Sequence, residues 1–292
     1  MIAINWGTAN FRAYRLDLNG DVQAERTSGR GAATVPQDGF PSAVMAEVGD
    51  WIGDGESRLL MSGMVGSRLG WKEAPYLQVP ATFDQIASKV IRLDTGFVDA
   101  RIVPGLIGMD ESGVPEVIRG EETEILGAES GLPDSCRLCL PGTHTKWVRM
   151  EDATIASFTT SMMGDVFRAI REGTILRSVV PQAEFDEEAF QQGVARSMQP
   201  GELLHHLFGV RTLVLAGTMQ EAASSSYLSG LLIGHDIKPM ARTSEAVHLI
   251  GEPDLCLLYA AALRWHDVRS TVEEPGAALR GLKRIAARLE WR

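Results

Sequence analysis

The chain of 292 residues carries 28 Lys and Arg against 38 Asp and Glu, a formal net charge of −10. Nucleic acids and anionic membranes bind basic surfaces, so this acidic chain is expected to bind neither. Hydrophobic residues make up 45% of the chain and charged residues 23%, which is typical of a globular protein. The length predicts about two domains, and we place their boundary between residues 118 and 119.

Targeting and cysteine signals are weak. The N-terminus has no basic stretch before a long apolar one, and no apolar run approaches the roughly 18 residues of a membrane span, so a cytoplasmic protein is expected. Cys136 and Cys139 have C-x-x-C spacing but lie in an alternating, strand-like segment, where residues three apart face opposite sides. The three cysteines therefore predict buried structural thiols rather than a disulfide or a metal site.

The first part of the chain alternates strands with turns and one helix. The patterns predict strands at residues 1–4, 11–18 and 58–62, a helix at 40–52, a strand and loop at 101–108 and a polar segment at 110–117. A helix with acids in its first turn is expected to begin close to Arg119.

Further strands, and two strand–turn–helix units, are predicted in the second part. The predicted strands are 137–140, 146–150 and 154–158, and the two units comprise strand 212–216 with helix 219–233 and strand 246–250 with helix 253–265. Helix starts of this kind expose backbone N–H groups that bind phosphate. A basic amphipathic helix at 277–292 is expected to pack on a lobe of this chain or of a partner, which leaves homo-oligomerisation open.

Two turns have the same strand, G-T turn, strand design. In the first, Gly7, Thr8 and Arg12 supply the close backbone, hydroxyl and positive charge that phosphate binding needs. The alternative is a plain hairpin. The second turn contains Gly142 and Thr143, and it is followed by Lys146, which either offsets phosphate charge or is a solvated strand residue. The repeat favours a phosphate site, although no Walker motif is present.

Two other segments are candidates for chemistry. Glu121 and Glu122 can supply the carboxylate that accepts a hydroxyl proton in a kinase, or they simply decorate a helix start. Residues 62–73 are rich in glycine, and Arg68 can hold a carboxylate while Trp71 forms an apolar wall. The alternative there is a flexible surface loop. The candidate substrate-binding residues of this segment are Ser67, Arg68, Trp71 and Glu73.

Other kinds of site find little support. His144 has no His or Cys partner at metal-ligand spacing, and His205 and His206 are predicted to lie on a solvated helix. A G-x-S-x-G nucleophile elbow is absent from the sequence. These patterns argue against a zinc enzyme and a serine hydrolase.

Five blocks in order carry a resemblance to a known family. They are N-W-G-T at 5–8, G-M-V-G-S-R-L-G-W at 63–71, R-G-E-E-T at 119–123, P-G-T-H-T-K-W at 141–147 and Y-L-S-G-L-L-I-G at 227–234. Together they resemble the 2-dehydro-3-deoxygalactonokinases, sugar-acid kinases of the actin, hexokinase and Hsp70 superfamily. The resemblance implies an α/β fold with two ribonuclease-H-like lobes and ATP with substrate in the interlobe cleft. It also implies γ-phosphoryl transfer from ATP to O6 of 2-dehydro-3-deoxy-D-galactonate.

The resemblance also implies roles for individual residues. Glu121 matches the catalytic base, with Glu122 as the alternative, and the Arg68 block matches the sugar-acid site. The nucleotide-binding positions are Gly7, Thr8 and Arg12 in the first turn, Gly142 and Thr143 in the second, and Gly251 on the adenosine side.

Two positions depart from the family pattern. Asn5 stands where the superfamily usually has an Asp that orients the waters of Mg²⁺, and an amide lacks the charge that attracts a hard cation. Weaker Mg²⁺ binding or slower turnover is therefore expected. Residues 163–165 read Met-Gly-Asp instead of Thr-Gly-Glu, which concerns local helix packing.

Two alternatives to this kinase remain. One is a kinase for another small sugar acid or polyol. The other is a nucleotide-dependent sugar-acid sensor with weak catalysis, which Asn5 keeps open and the retained Glu121 opposes.

Overall fold

The computed structural model describes residues 1–96, 98–128, 131–239 and 245–291. The chain forms two compact units, each assembled from separate stretches of sequence. The first comprises Met1–Ser135, Arg149–Phe158 and Glu274–Arg292, and the second comprises Cys136–Val148 and Thr159–Glu273. None of the helices in the described ranges is both long and apolar enough to cross a membrane.

Fourteen strands are present in the described ranges and form three sheets. They are β1 (Ile2–Trp6), β2 (Phe11–Leu16), β3 (Val22–Ser28), β4 (Arg58–Gly63), β5 (Tyr76–Gln78), β6 (Ile91–Asp94), β7 (Asp99–Ile102), β8 (Gly105–Met109), β9 (Pro115–Ile118), β10 (Cys136–Leu140), β11 (Thr145–Glu151), β12 (Thr154–Ser161), β13 (Val247–Leu249) and β14 (Ser270–Val272).

Nine α-helices accompany them in the same ranges, together with short 3₁₀ turns. They are α1 (Phe40–Gly53), α2 (Phe83–Ser88), α3 (Glu121–Ala128), α4 (Met163–Gly173), α5 (Glu187–Ser197), α6 (Leu203–Leu215), α7 (Ser224–Ile237), α8 (Pro253–Trp265) and α9 (Ala277–Ala286).

The two large sheets share one topology. The first has the order β3-β2-β1-β4-β7-β6 and the second the order β12-β11-β10-β13-β14. In the first, β1 is antiparallel to β2 and parallel to β4, which is parallel to β7. In the second, β10 is parallel to β13, and β13 is parallel to β14. Five strands of the first sheet, β3-β2-β1-β4-β7, therefore follow the same order as the five strands of the second, as expected for ribonuclease-H-like lobes. The first sheet has β6 in addition, antiparallel to β7 at its edge.

Sequence composition explains the place of each strand in the first sheet. β1 is almost entirely apolar and buried, because a central strand is covered on both faces. β3 alternates exposed and half-buried residues and carries charged side chains, which suits an edge strand. The Trp6 ring packs edge-on against Phe11 and Phe40, and its centroid lies 4.9 Å from that of Phe11 and 5.2 Å from that of Phe40. These rings anchor the strand that leads into the first G-T turn.

Helix α9 packs closely on α3 within the first unit. A Cβ on Gly281 would overlap the carbonyl oxygen of Thr123, so only glycine allows this approach. Arg280 Nε and Arg284 Nη1 donate to the carbonyls of Gly127 and Leu126 at 2.9 and 2.8 Å, where cations are favoured at a helix C-terminus. The C-terminal helix thus packs on its own chain.

The same packing bears on the predicted domain boundary. α3 lies in the first unit with its partner α9, and the first break between the units follows Ser135. The predicted boundary between residues 118 and 119 therefore differs from the division of the contact units, because the acidic helix packs with the C-terminus of the chain.

One predicted element is wrong. Residues 212–216 were expected to form a strand, but they lie at the C-terminal end of α6. Backbone N–H groups of Gly217 and Thr218 donate to the carbonyls of Val214 and Leu213, both at 3.0 Å, and close the helix. A short apolar run cannot by itself distinguish a strand from a buried helix turn. In contrast, the helix at 253–265 coincides with α8.

The histidine prediction is also wrong in part. His206 lies on a helix as expected, but its side chain is fully buried. Its Nε2 is 3.1 Å from the carbonyl oxygen of Pro200 and its Nδ1 is 3.0 Å from Nε2 of His235. Among the cysteines, Cys139 and Cys256 are buried and Cys136 is half-buried, and all three are free thiols.

Candidate active site

The first G-T turn connects β1 to β2 and is held by a neighbouring loop. The strand register pairs Asn5 with Arg12, and the Gly7 N–H donates to the Asn10 carbonyl at 2.9 Å. Backbone N–H groups of Ala32 and Ala33 donate to the carbonyls of Gly7 and Thr8 at 2.9 and 3.2 Å. Thr8 itself is exposed. The fold therefore fixes the turn through its carbonyls and presents the Thr8 side chain to solvent.

The start of the acidic helix lies beside the strand next to this turn. Gly63 ends β4, and it pairs with Trp6 in the parallel register of β1 and β4. A Cβ on Gly63 would lie 3.4 Å from Oδ1 of Asn5, and one on Gly120 would lie 3.2 Å from Cα of Gly63. Three sequence-predicted segments thus meet in one unit: the first turn, the glycine block and the R-G-E-E-T helix start.

The two acids of that helix occupy different environments. Glu122 is 1% exposed, and its Oε2 accepts the Gly120 N–H at 2.7 Å while its Oε1 accepts the Thr123 hydroxyl at 3.1 Å. Burial, assisted by the charge of Glu121, raises the pKa of Glu122 to about 7. Glu121 is only half-buried, and its Oε2 accepts the Arg119 N–H at 2.9 Å. Of the two carboxylates, Glu121 is the more accessible to a ligand.

The glycine block is compact rather than a loose loop. The Trp71 N–H donates to the carbonyl of Val65, and the Ala74 N–H donates to that of Gly66, both at 2.9 Å. The Trp71 ring stacks on Phe40 with centroids 6.4 Å apart and planes 11° apart. Ser67 is buried, whereas Arg68 and Glu73 are exposed. The alternative of a flexible surface loop is therefore not supported by the hydrogen bonds of this segment.

Arg119 lies in the R-G-E-E-T block but is not among the candidate residues that the sequence pattern indicates. This arginine is 8% exposed. Its Nη2 donates to the Ala74 carbonyl at 2.9 Å, and the centre of its guanidinium lies 4.3 Å from the centroid of the Tyr76 ring. Its Nε and Nη1 have no hydrogen-bond partner among the described residues. The sequence offers one signal for it, a basic residue two positions before the candidate base. In the fold, this residue lies next to the glycine block.

The second G-T turn connects β10 to β11 in the second unit. The carbonyl oxygen of Thr143 accepts the N–H of Gly164 at 2.9 Å, and Nε2 of His144 lies 2.8 Å from Oδ2 of Asp165. Hydrogen bonds, first from His144 and then from Arg168, lower the pKa of Asp165. The Met-Gly-Asp segment at 163–165 therefore supports the turn directly.

Buried polar side chains stabilise this turn through hydrogen bonds. Lys146 is 5% exposed and its Nζ donates to the carbonyl of His144 at 2.6 Å, which rules out the alternative of a solvated strand residue. The Tyr259 hydroxyl is 3.0 Å from Thr145 Oγ1 and donates to Oδ2 of Asp236 at 2.8 Å. Burial raises the pKa of both Tyr259 and Asp236.

An apolar cavity of about 200 Å³ adjoins the second turn. A Cβ on Gly251 would lie 3.4 Å from the Pro141 carbonyl oxygen, so this glycine lies beside the same turn. A pocket with apolar walls and a glycine edge can accept a flat heteroaromatic ring. The cavity is lined by Gly142, Met163, Gly164, Phe167, Ser229, Leu232, Ile233, Leu255 and Tyr259.

Comparison with solved structures establishes the fold. A crystal structure of a protein assigned as a 2-dehydro-3-deoxygalactonokinase, from Sinorhizobium meliloti, superposes with a TM-score of 0.88 at 35% identity, covering 98% of this chain and 97% of that one. The ADPNP-bound activator of the 2-hydroxyisocaproyl-CoA dehydratase from Clostridium difficile reaches a TM-score of 0.51 at 11% identity, covering 99% and 95%. The chain has the two-lobed, actin-like ATPase fold.

Sequence comparison establishes the family. The 2-dehydro-3-deoxygalactonokinase of Escherichia coli (strain K12) is 34% identical over 268 residues, covering 90% of this chain and 89% of that protein. The family model described as 2-keto-3-deoxy-galactonokinase matches residues 5–285. This chain therefore belongs to the 2-keto-3-deoxy-galactonokinase family.

Proposed function

We propose that this protein transfers the γ-phosphoryl group of ATP to O6 of 2-dehydro-3-deoxy-D-galactonate. Family membership supports the reaction and the substrate class. The structural observation that carries the proposal is the contact of Gly120 with Gly63 beside Asn5. It joins the candidate base, the glycine block and the first G-T turn, which are the parts that phosphoryl transfer to a hydroxyl requires.

Each unit carries one G-T turn whose groups can bind the phosphates of ATP. Gly7, Thr8 and Arg12 contact phosphate oxygens in the first turn, and Gly142 and Thr143 do so in the second, through backbone N–H groups and hydroxyls. The adenosine occupies the apolar cavity beside Gly251. Lys146 acts indirectly, because its Nζ holds the turn carbonyl of His144.

The residues of the candidate site fit a Mg²⁺ ion that is bound mainly through the phosphates of the nucleotide. The described residues contain no group of three or more His, Cys, Asp and Glu that could hold a metal ion. Mg²⁺ keeps several waters and is commonly bound through phosphate oxygens and one or two protein groups. Asn5, whose amide oxygen lies beside Gly63, is the residue of this unit that would hold the hydrated ion. When bound, the ion neutralises phosphate charge.

Glu121 accepts the proton from the substrate hydroxyl. It is half-exposed, whereas Glu122 is buried with both carboxyl oxygens hydrogen-bonded. Glu122 therefore holds the N-terminus of α3 and positions Glu121. The sugar acid is bound by the glycine block, with Ser67, Arg68, Trp71 and Glu73 as its candidate contacts.

The Glu121→Gln variant separates this enzyme from a nucleotide-dependent sensor. A base that accepts a proton is essential for turnover but not for ATP binding, so phosphoryl transfer should fall by about a hundredfold or more while the Kd for ATP changes little. Glu124→Gln, in the same helix, is the control and should retain transfer. Unchanged transfer in Glu121→Gln would exclude this residue as the base.

A second candidate function is a kinase for a related sugar acid. The exposure of Arg68 and Glu73 favours this possibility, because exposed contacts constrain ligand stereochemistry weakly. Assay with the gluconate epimer distinguishes the two: a higher kcat/KM for the epimer would reassign the substrate within the same reaction.

A further inference from the structure

Arg119 is a buried cation, and only one of its three side-chain nitrogens donates a hydrogen bond within the described residues. One of its nitrogens, Nη2, donates to the carbonyl of Ala74, while Nε and Nη1 have no hydrogen-bond partner among the described residues. No carboxylate in those ranges forms an ion pair with it. A buried charge without a counter-charge and with unmet N–H donors is costly for a folded protein. Such an arrangement is most readily explained by an anion that binds there.

The position of Arg119 matches the proposed sugar-acid site. The residue precedes Gly120, which contacts Gly63, and it is two positions before Glu121. Its Nη1 would lie 3.0 Å from a Cβ placed on Gly66, so the guanidinium is next to the glycine block. Tyr76 covers one face of the guanidinium plane. Arg119 thus lies between the glycine block and the acidic helix.

We propose that Arg119 binds the carboxylate of the sugar acid and sets the preference of the enzyme for an acidic acceptor. This inference rests on the proposed function and adds to it the residue that recognises the substrate class. The planar guanidinium can present two parallel N–H donors to a carboxylate, and such charge-assisted pairs are strong when water is excluded. The cation–π contact with Tyr76 fixes the plane of the guanidinium without using an N–H donor.

Arg68 is the competing candidate for this role. It lies in the glycine block but is exposed, and an ion pair at an exposed site contributes little because water screens it. Arg119 is buried beside the same block, so its pair with a carboxylate would be screened much less. If Arg119 binds the carboxylate, substitutions of Arg119 reduce the preference for the acid. If Arg68 binds it, Arg68→Gln reduces that preference instead.

The test compares Arg119→Gln and Arg119→Lys with Arg68→Gln on two acceptors, the sugar acid and its uncharged carboxamide. For the wild-type protein, kcat/KM should be about a hundredfold higher for the acid than for the carboxamide. Arg119→Gln should lose this preference, with a fall of about a hundredfold on the acid, little change on the carboxamide and an unchanged KM for ATP. Arg68→Gln should keep the preference.

A purely structural role gives a different pattern. An equal loss on acid and carboxamide in the Arg119 variants, or loss of the preference in Arg68→Gln alone, would overturn the proposal. Should Arg119→Gln fold poorly, Arg119→Lys retains the charge but not the planar fork, and it should still lose acid preference by about tenfold.

Calorimetric binding keeps this inference separate from the proposed reaction. The acid and the carboxamide are titrated into wild-type and Arg119→Lys protein without ATP. Acid-selective binding that depends on Arg119 would support the inference even if no phosphoryl transfer were observed. Equal binding of both compounds by the wild-type protein, or no binding of either, would overturn it.

Discussion

Gly120 lies against Gly63, so that the residue before the acidic helix touches the end of the strand beside the first G-T turn. A Cβ on Gly120 would be 3.2 Å from Cα of Gly63, and the φ angle of Gly120 is +111°. The backbone angle favours glycine there, and a Cβ would crowd Gly63. This contact places Glu121 next to the segment that contains Asn5.

The Gly120→Ala substitution should therefore disturb catalysis. The added methyl group would push the helix start away from Gly63, and we expect kcat to fall by about tenfold or more. Gly113→Ala is the matched control, because Gly113 also has a positive φ of +82° but no atom lies within 4 Å of its Cβ position. Steady-state kinetics of both variants, with circular dichroism to verify folding, provide the measurement. Equal activities in the two variants would count against the role of the contact.

Asn5→Asp should strengthen the use of magnesium. A carboxylate attracts the hydrated cation more than an amide does, so we expect the apparent affinity for Mg²⁺ and kcat to rise by about threefold or more. Asn10→Asp adds the same charge within the same turn and serves as the control. Magnesium titration of the initial rate tests the prediction, and an unchanged titration curve in Asn5→Asp would contradict it.

The buried carboxyl of Glu122 predicts a pH-dependent stability. Its pKa is about 7 in the folded protein against an ordinary value of 4.5 for glutamate. Below pH 4.5 both folded and unfolded states hold the proton, and between the two values only the unfolded state releases it. The wild-type protein should therefore lose about 3 kcal/mol of folding free energy as the pH rises from 4.5 to above 7.

Glu122→Gln removes this titration. The variant should gain stability relative to the wild type by up to about 3 kcal/mol on going from pH 4.5 to pH 8. Urea unfolding at the two pH values gives the comparison, with Glu111→Gln, at an exposed turn position, as the control for losing one negative charge. If the difference between Glu122→Gln and wild type were the same at both pH values, the raised pKa would be refuted.

Tyr259→Phe tests the support of the second G-T turn. Loss of the hydroxyl removes one partner from Thr145 Oγ1 and one from Asp236 Oδ2, which keep the Gly142 N–H and the Trp147 Nε1–H. The loss should cost about 0.5–1.5 kcal/mol of folding free energy. The KM for ATP should rise while the KM for the sugar acid stays unchanged. Tyr227→Phe, at a buried tyrosine of the same unit outside this network, is the control. An ATP affinity unaffected by Tyr259→Phe would show that the network does not shape the turn.

Local patterns were sufficient to predict much of the fold. The apolar run of β1 and the Pro253–Trp265 helix follow from composition and periodicity, and the family resemblance implied the two ribonuclease-H-like lobes. Residues 212–216 were assigned wrongly because a helix C-terminus rich in β-branched and aliphatic residues has the same local pattern as a short strand.

The candidate site was predictable only in part. Glycine, threonine and glutamate positions stand out in the sequence, but burial of Arg119 and Lys146 and the contact between Gly120 and Gly63 depend on segments that are distant along the chain. Unmet hydrogen-bond donors such as those of Arg119 become visible only when the surrounding carbonyls and carboxylates have been located.

Release of ADP from Mg-ATP by the purified protein measures the proposed phosphoryl transfer itself. The reaction is run with 2-dehydro-3-deoxy-D-galactonate, with its gluconate epimer and without an acceptor. We expect release that depends on the galactonate compound and exceeds that in both other reactions. ATP binding without acceptor-dependent release for either compound would contradict this expectation and favour a nucleotide-dependent sensor.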